Sequence, residues 1–152
     1  MGEKKIRFAT AEDLTDLIKL CGLHAAFEQS SYDPDGKLER LREILFTHQP
    51  SVFCLIAELN GKTVGYAVYM KQYSTWDANF YIYMDCLFLE EAARGMGIGE
   101  MLTDRIKSEG ATLGCALIQW QTPDFNTRAI KFYKRIGAFS KSKERFFLDI
   151  EG

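Results

Sequence analysis

Residues 79–91, NFYIYMDCLFLEE, form a long apolar run, and Gly95, Gly97 and Gly99 follow it at alternate positions before a helix-forming stretch. A run this apolar fits a central strand covered on both faces. The glycines then stand at a strand-to-helix junction, where the first helix amides are unpaired and the helix dipole adds partial positive charge. Glycines there let an anion reach the main chain without a Cβ in the way, and Arg94 can add a charge-assisted hydrogen bond. By its chemistry, the segment Arg94-Gly95-Met96-Gly97-Ile98-Gly99 is a phosphate cradle; a glycine-rich turn with only a structural job is the other reading.

The rest of the chain supplies a sheet and its helices. KIRFAT (5–10) reads as a first strand, and Thr10 with Asp13 gives a capping-box pattern ahead of a helix over 11–29, with Leu14, Leu17, Ile18 and Cys21 at helical spacing. A second helix over 37–48 repeats Leu38, Leu41, Ile44 and Leu45 and ends before Pro50. Two β-rich runs then hinge on Asn60-Gly61, a hairpin signal because both central turn positions want positive φ. After the glycines come a helix stopped by Gly110, a strand over CALIQWQT (115–122), a helix over 126–138 closed by Gly137, and a last strand over ERFFLDI (144–150). The order β-α-α-β-β-β-α-β-α-β gives an α/β (α+β) class, a mixed sheet with helices on both faces in a single domain over 1–152.

Two phosphate-binding loops are excluded by spacing. A Walker loop ends in Gly-Lys-Ser/Thr, and here Glu100 follows Gly99. A dinucleotide GxGxxG fails from either start, because its third glycine would fall on Ile98 or Leu102.

Arg94-x-x-Gly97-x-Gly99 after an apolar strand resembles motif A of the GNAT superfamily of acetyl-CoA-dependent N-acetyltransferases. NTRAIKFYKRIGA (126–138) resembles the family's asparagine-then-helix segment ending in F-Y-x-x-x-G, and the element order agrees over nearly the whole chain. YMKQYSTWDANFYIYMDCLFLEEAARGMGIGEML together with FYKRIGA is most similar to the spermidine/spermine (diamine) N-acetyltransferase branch, where a Tyr-x-x-Trp loop precedes the central strand and an acid stands on it. The chain departs from that branch where Cys86, not a second acid, follows Asp85, in one extra residue between Trp76 and Asp85, and in the longer WQTPDFN turn.

The resemblance implies a GNAT fold with a mixed, mostly antiparallel, twisted sheet of six to seven strands. It also implies roles. Acetyl-CoA is the cosubstrate: Arg94, Gly95, Met96, Gly97, Ile98 and Gly99 hold its pyrophosphate, backbone groups of Leu87, Phe88 and Leu89 align its pantetheine arm, and Asn126 contacts that arm or orders water. An amide near Leu87 is the donor for the developing oxyanion. Tyr133 protonates the leaving thiolate. Asp85 takes the amine proton through water or binds the cationic amine; a hydrogen-bonded structural acid is its other reading. By strand alternation it shares a face with Leu87. Glu28, Trp76 and Asp77 are candidates for an amine pocket, carboxylates for charge and indole for cation–π contact, against a solvated helix end and surface loop. His24 reads as an ordinary helix residue and Cys86 as a small apolar filler.

Composition removes other classes. A net charge of −2 lacks the basic footprint of a nucleic-acid binder. The four cysteines have no ligand-like spacing and the two histidines sit near none of them, so no metal is expected. No apolar run reaches membrane-spanning length and MGEKKIRFATAEDL has no signal-peptide core, so the expectation is a cytoplasmic protein with no membrane partner. The acceptor expected from the resemblance is a primary amine, polyamine-like or lysine-like. A protein or peptide N-acetyltransferase and a non-catalytic acyl-CoA sensor are the alternatives. The family's habit of pairing subunits through strands implies a homodimer.

Overall fold

In the structure, a computed structural model that describes residues 2–151, strands β1 (Lys4–Phe8), β2 (Val52–Leu59), β3 (Lys62–Ser74), β4 (Asn79–Leu89) and β5 (Ile118–Gln119) form one sheet in the order β1-β2-β3-β4-β5. The first four are antiparallel in sequence and β5 joins β4 in parallel. The helices are α1 (Leu14–Phe27), α2 (Lys37–Leu45), α3 (Ile98–Thr112) and α4 (Thr127–Arg135). The chain divides into two units, Met1–Gln121 and Thr122–Gly152.

The β2–β3 hairpin turns on Asn60 and Gly61, at φ 54° and 78°. Both are left-handed, the geometry whose twist matches that of the flanking strands. Cross-strand pairing then sorts the side chains. Ile56, Tyr66 and Phe88 lie in register and pack with Leu14, Leu17 and Leu20 of α1 and Leu45 of α2. On the opposite face α3 buries Ile98, Leu102 and Ile106 completely. Helices thus cover both faces of the sheet in the first unit.

Two glycines are fixed by close approach. A Cβ on Gly65 would lie 2.6 Å from the Phe88 carbonyl oxygen, and one on Gly110 would lie 2.9 Å from Ile82 Cγ1. Gly110 therefore does not stop α3. The helix runs on to Thr112 and lies close on β4 there, and Gly114, at φ 80°, sits beyond its end. In sequence the two jobs look alike, since each needs only the absence of a side chain. Gly65→Ala sets a methyl against backbone that cannot swing aside; it should cost about 1–3 kcal/mol, read as a lower urea midpoint at unchanged m-value.

The start of α1 is pinned by an ion network. Asp13 is buried, and its Oδ2 accepts from the Thr10 amide at 2.7 Å and from Arg7 Nη1 at 2.7 Å. Arg7 Nε also donates to Glu58 Oε2 at 2.6 Å. The capping-box residues thus tie β1, β2 and α1 together.

The sheet has five strands, not six to seven. The expected strand over 115–122 narrows to Ile118–Gln119. The expected strand over 144–150 does not form: Phe146, Phe147, Leu148 and Ile150 are exposed, and no strand is described in Thr122–Gly152 with which they could pair. A strand exists only through its ladder, so apolar β-formers without a partner stay irregular. In that second unit α4 is capped by the Asn126 side chain, which accepts from the Ala129 amide at 3.4 Å, and Gly137 at φ 101° follows its end.

Candidate active site

The site is built on the edge of β4. Beyond Tyr83, β4 leaves β5, and among the described residues no strand pairs with that edge from Met84 to Leu89. Register decides what the edge presents. Glu90 donates to the Val64 carbonyl at 2.8 Å. Antiparallel pairs alternate between bonded and unbonded, so Phe88 bonds β3, whereas Leu87 and Leu89, opposite Ala67 and Gly65, turn their N–H and C=O groups to the open edge. Of the three residues expected to make backbone contacts, Leu87 and Leu89 therefore turn outward, and the Leu89 carbonyl accepts from Arg94 Nε. Phe88 contributes a buried ring instead.

The strand delivers the chain to the glycine turn. Gly95 and Gly97 have φ of 78° and 84°, and a Cβ at either would meet no atom within 4 Å. Their requirement within the protein is left-handed backbone, and the space above them is open. Gly99 is buried within α3. The Met101 amide bonds the Gly97 carbonyl at 3.1 Å. Helix geometry therefore leaves the amides of Ile98, Gly99 and Glu100 without intrahelical acceptors. Lys4 Nζ donates to the Met96 carbonyl at 2.5 Å, adding a cation beside the turn and tying it to β1. Arg94 braces the same junction from below: its Nε donates to the Leu89 carbonyl at 3.0 Å, and its guanidinium carbon lies 4.4 Å from the Phe27 ring centre and 5.5 Å from that of Phe88.

Asp85 is the extra residue of a β-bulge. Val68 faces Cys86 and Tyr69 faces Met84, so Asp85 has no cross-strand partner. The bulge breaks simple alternation. Leu87 aligns with Ala67 and Leu55, while Cys86 packs against the α1-side cluster. The expectation that Asp85 shares a face with Leu87 by alternation is thereby corrected: its carboxylate is exposed, with Oδ2 3.6 Å from Cys86 Sγ. Burial, and next the charge of Asp85, push the Cys86 thiol up, so it stays protonated and unsuited to attack.

Glu28 ends α1 and joins a network that the sequence did not announce. Glu28 Oε2 lies 2.7 Å from His24 Nε2, and His24 Nδ1 lies 2.8 Å from the Tyr66 hydroxyl. The imidazole stacks on Phe88 at 5.0 Å between ring centres. Burial pushes the Tyr66 phenol far up. Glu28, His24 and Tyr66 thus form one continuous polar chain. The available signal was the four-residue spacing of His24 and Glu28 on an amphipathic helix.

Trp76 and Asp77 are not gathered into this cluster. Trp76 is 99% exposed at the β3–β4 tip. The strand from Asn79 to Asp85 intervenes, about 20 Å of extended chain. The Asp77 amide closes the turn on Ser74 Oγ at 3.3 Å. In the second unit, Tyr133 is half-buried on α4 beside Phe132, ring centres 5.4 Å apart, and Asn126 Nδ2 donates to Thr122 Oγ1 at 3.3 Å. Among the described residues no group of three or more His, Cys, Asp or Glu side chains could hold a metal ion, and no helix is long and apolar enough to cross a membrane.

A strand edge that no described strand pairs, a left-handed glycine turn and the mouth of a helix occur here in that order, and residues 13–138 match the acetyltransferase (GNAT) family. The chain belongs to the GNAT acetyltransferase family. Its relatives agree with that. It is 29% identical to the thialysine N-epsilon-acetyltransferase of Mus musculus over 146 residues, covering 91% of this chain and 85% of that protein. It is 29% identical to the spermidine/spermine N(1)-acetyltransferase-like protein 1 of Homo sapiens, covering 92% of this chain but 21% of that longer protein. The fold matches an aminoglycoside N-acetyltransferase in complex with CoA at a TM-score of 0.82, with 19% identity and coverage of 99% and 97% of the two chains. The GNAT assignment agrees with an N-acetyltransferase built on a mixed sheet.

Proposed function

We propose that this chain transfers the acetyl group of acetyl-CoA to a primary amine, a polyamine or diamine or a lysine-like acceptor. The observation that carries the reading is the unpaired edge of β4, whose outward Leu87 and Leu89 groups lead directly into the glycine turn at the start of α3. An extended pantetheine arm fits such an edge as an added strand. A pyrophosphate fits the amides of Ile98, Gly99 and Glu100, with Lys4 and Arg94 adding positive charge. The family match over 13–138 supports treating the two units as parts of one acetyltransferase domain.

Acetyl-CoA supplies an activated acyl group. The residues then have separate tasks. The Leu87 amide is placed to donate to the thioester oxygen as negative charge develops there. An alkyl ammonium with a pKa near ~10 must lose its proton before it attacks, and Asp85 is the acid on the strand that accepts it through water or holds the cation. Glu28 supplies a second acceptor-side carboxylate. Tyr133 returns a proton to the leaving sulfur, and Asn126 contacts the pantetheine or orders water; both are carried by their match to the family's tyrosine and asparagine. Relatives named for thialysine and spermidine or spermine favour an acceptor with a second nitrogen or a lysine-like shape. The chain works as a cytoplasmic homodimer in this reading. Support comes from four free cysteines, and from the exposed, unpaired apolar segment at 146–150 that a second copy would cover.

Purified protein with acetyl-CoA should release free CoA when 1,4-diaminobutane, spermidine or lysine is added, and little without an acceptor. CoA release driven only by peptides would move the acceptor to proteins. Tight CoA binding with no turnover on any amine or peptide would identify a sensor and end the enzymatic reading.

A further inference from the structure

We infer that His24 and Glu28 form a charge-exchange pair in the amine site: Glu28 holds one cation at a time, either the imidazolium of His24 or the ammonium of a bound amine, so that binding an amine expels a proton from His24. This deepens the acceptor assignment above and rests on it, since it takes Glu28 as an amine-side carboxylate.

The geometry gives both ring nitrogens a partner in either state of the imidazole. A carboxylate only accepts, so Nε2 keeps its hydrogen on Glu28 Oε2 at 2.7 Å. The labile proton is then the one on Nδ1, which faces the Tyr66 hydroxyl at 2.8 Å. A hydroxyl can reverse its role. When His24 is neutral, Tyr66 donates to Nδ1. When His24 is charged, Tyr66 accepts from Nδ1. The Phe88 face, stacked at 20° between planes, accommodates either form.

The charges around the ring come from every element packed on it. On α1 they are Glu28 and the protonated Cys21, which Lys37 of α2 acts upon. On β3 there is Tyr66; on β4 there are Cys86 and Asp85; Arg94 lies across Phe27 and Phe88. Glu28 is the anion in direct contact with the imidazole. Its side chain is 33% exposed against 15% for His24. An incoming ammonium therefore meets the carboxylate from the solvent side while the imidazole holds it from within. Two cations on one carboxylate repel each other at close range, and the histidine, whose charge changes in the neutral range, is the one that yields.

An imidazole takes up a proton as pH falls through the neutral range, so the exchange releases a proton on the acid side of that range and none on the alkaline side. Amine affinity should rise with pH through this range and then level off. An amine bound as the free base would instead release its own proton at every pH below ~10.

The test is calorimetry of 1,4-diaminobutane binding to the CoA-loaded protein at pH 6 and pH 8, in two buffers of different ionisation enthalpy. The expected result is a substantial fraction of a proton released per amine at pH 6, close to none at pH 8, and none at either pH in His24→Asn and Glu28→Gln. The chain has only His24 and His48, and His48 is exposed. Nitrogen-15 histidine spectra therefore give a second readout with an internal reference: added amine at pH 6 should convert His24 from charged to neutral and leave His48 unmoved. Wild-type protein that acetylates the diamine but shows equal release at both pH values, or an unmoved His24 resonance, overturns the exchange and leaves the acceptor reading standing. Wild-type protein that neither binds nor acetylates any amine in the panel defeats the acceptor reading itself, and the exchange with it.

Discussion

Tyr133→Phe should lower turnover by about 10²–10⁴-fold, the usual span for a lost proton-transfer group, while CoA affinity stays close to that of the wild type. The acetyl thioester leaves behind a thiolate, and a phenol near ~10 protonating a thiol near ~8.5 is only slightly uphill. The substitution removes one oxygen and keeps the ring, so the contact with Phe132 and the helix Thr127–Arg135 should persist. Two measurements separate chemistry from packing. Calorimetry with CoA reads the ground state, and steady-state kcat with a saturating diamine reads the step that needs the proton. Parallel loss of affinity and turnover would make Tyr133 a packing residue. A kcat within a few-fold of wild type would pass the proton to water or to another group.

The parts of the molecule that were readable in the sequence are those written in consecutive residues. The apolar run 79–91 reads as a covered strand, and the glycines at 95, 97 and 99 read as anion access. Asn60-Gly61 carried its turn type in two letters. What stayed hidden depends on register or on residues far apart. Asp85 is a bulge residue because Val68 pairs with Cys86 and Tyr69 with Met84, and no local pattern encodes that one-residue slip. Which of Leu87, Phe88 and Leu89 faces outward follows from the same ladder. Gly110 read as a stop because close packing on Ile82 and helix termination call for the same residue. His24 reads as an ordinary helix residue in sequence because its partners lie on α1, β3 and β4, with Tyr66 42 residues away. The run at 144–150 has strand-forming residues, but pairing needs a second strand, and composition cannot supply one.

Asp13→Asn should destabilise the protein by about 3 kcal/mol at pH 7, toward the lower end for a broken buried ion pair because Glu58 remains to hold Arg7. Asp13 accepts from both Arg7 Nη1 and Nη2, at 2.7 and 2.9 Å, and from the Thr10 amide. The hydrogen bond from Arg7 is the main cause holding its carboxyl below the ordinary range, against the opposing pull of burial. The same bond raises the Arg7 guanidinium further, so Arg7 is charged throughout. A carboxyl whose folded pKa is depressed stabilises the fold above its unfolded value, near ~3.9, and that contribution is lost as pH falls toward the folded value. The gap between wild type and Asp13→Asn should therefore be widest at neutral pH and close progressively below about pH 4. Urea titrations at pH 7, 5 and 3 read it directly. A gap of the same size at pH 3 as at pH 7 would mean that Asn fails through packing or hydrogen-bond geometry and that the charge contributes nothing. The consequence reaches the site, because Asp13 fixes the first turn of the helix that carries His24 and Glu28. If the ion network sets that helix on the sheet, Asp13→Asn should also weaken amine binding at pH 7 more than CoA binding, since the glycine turn is held by α3, Lys4 and Arg94 instead.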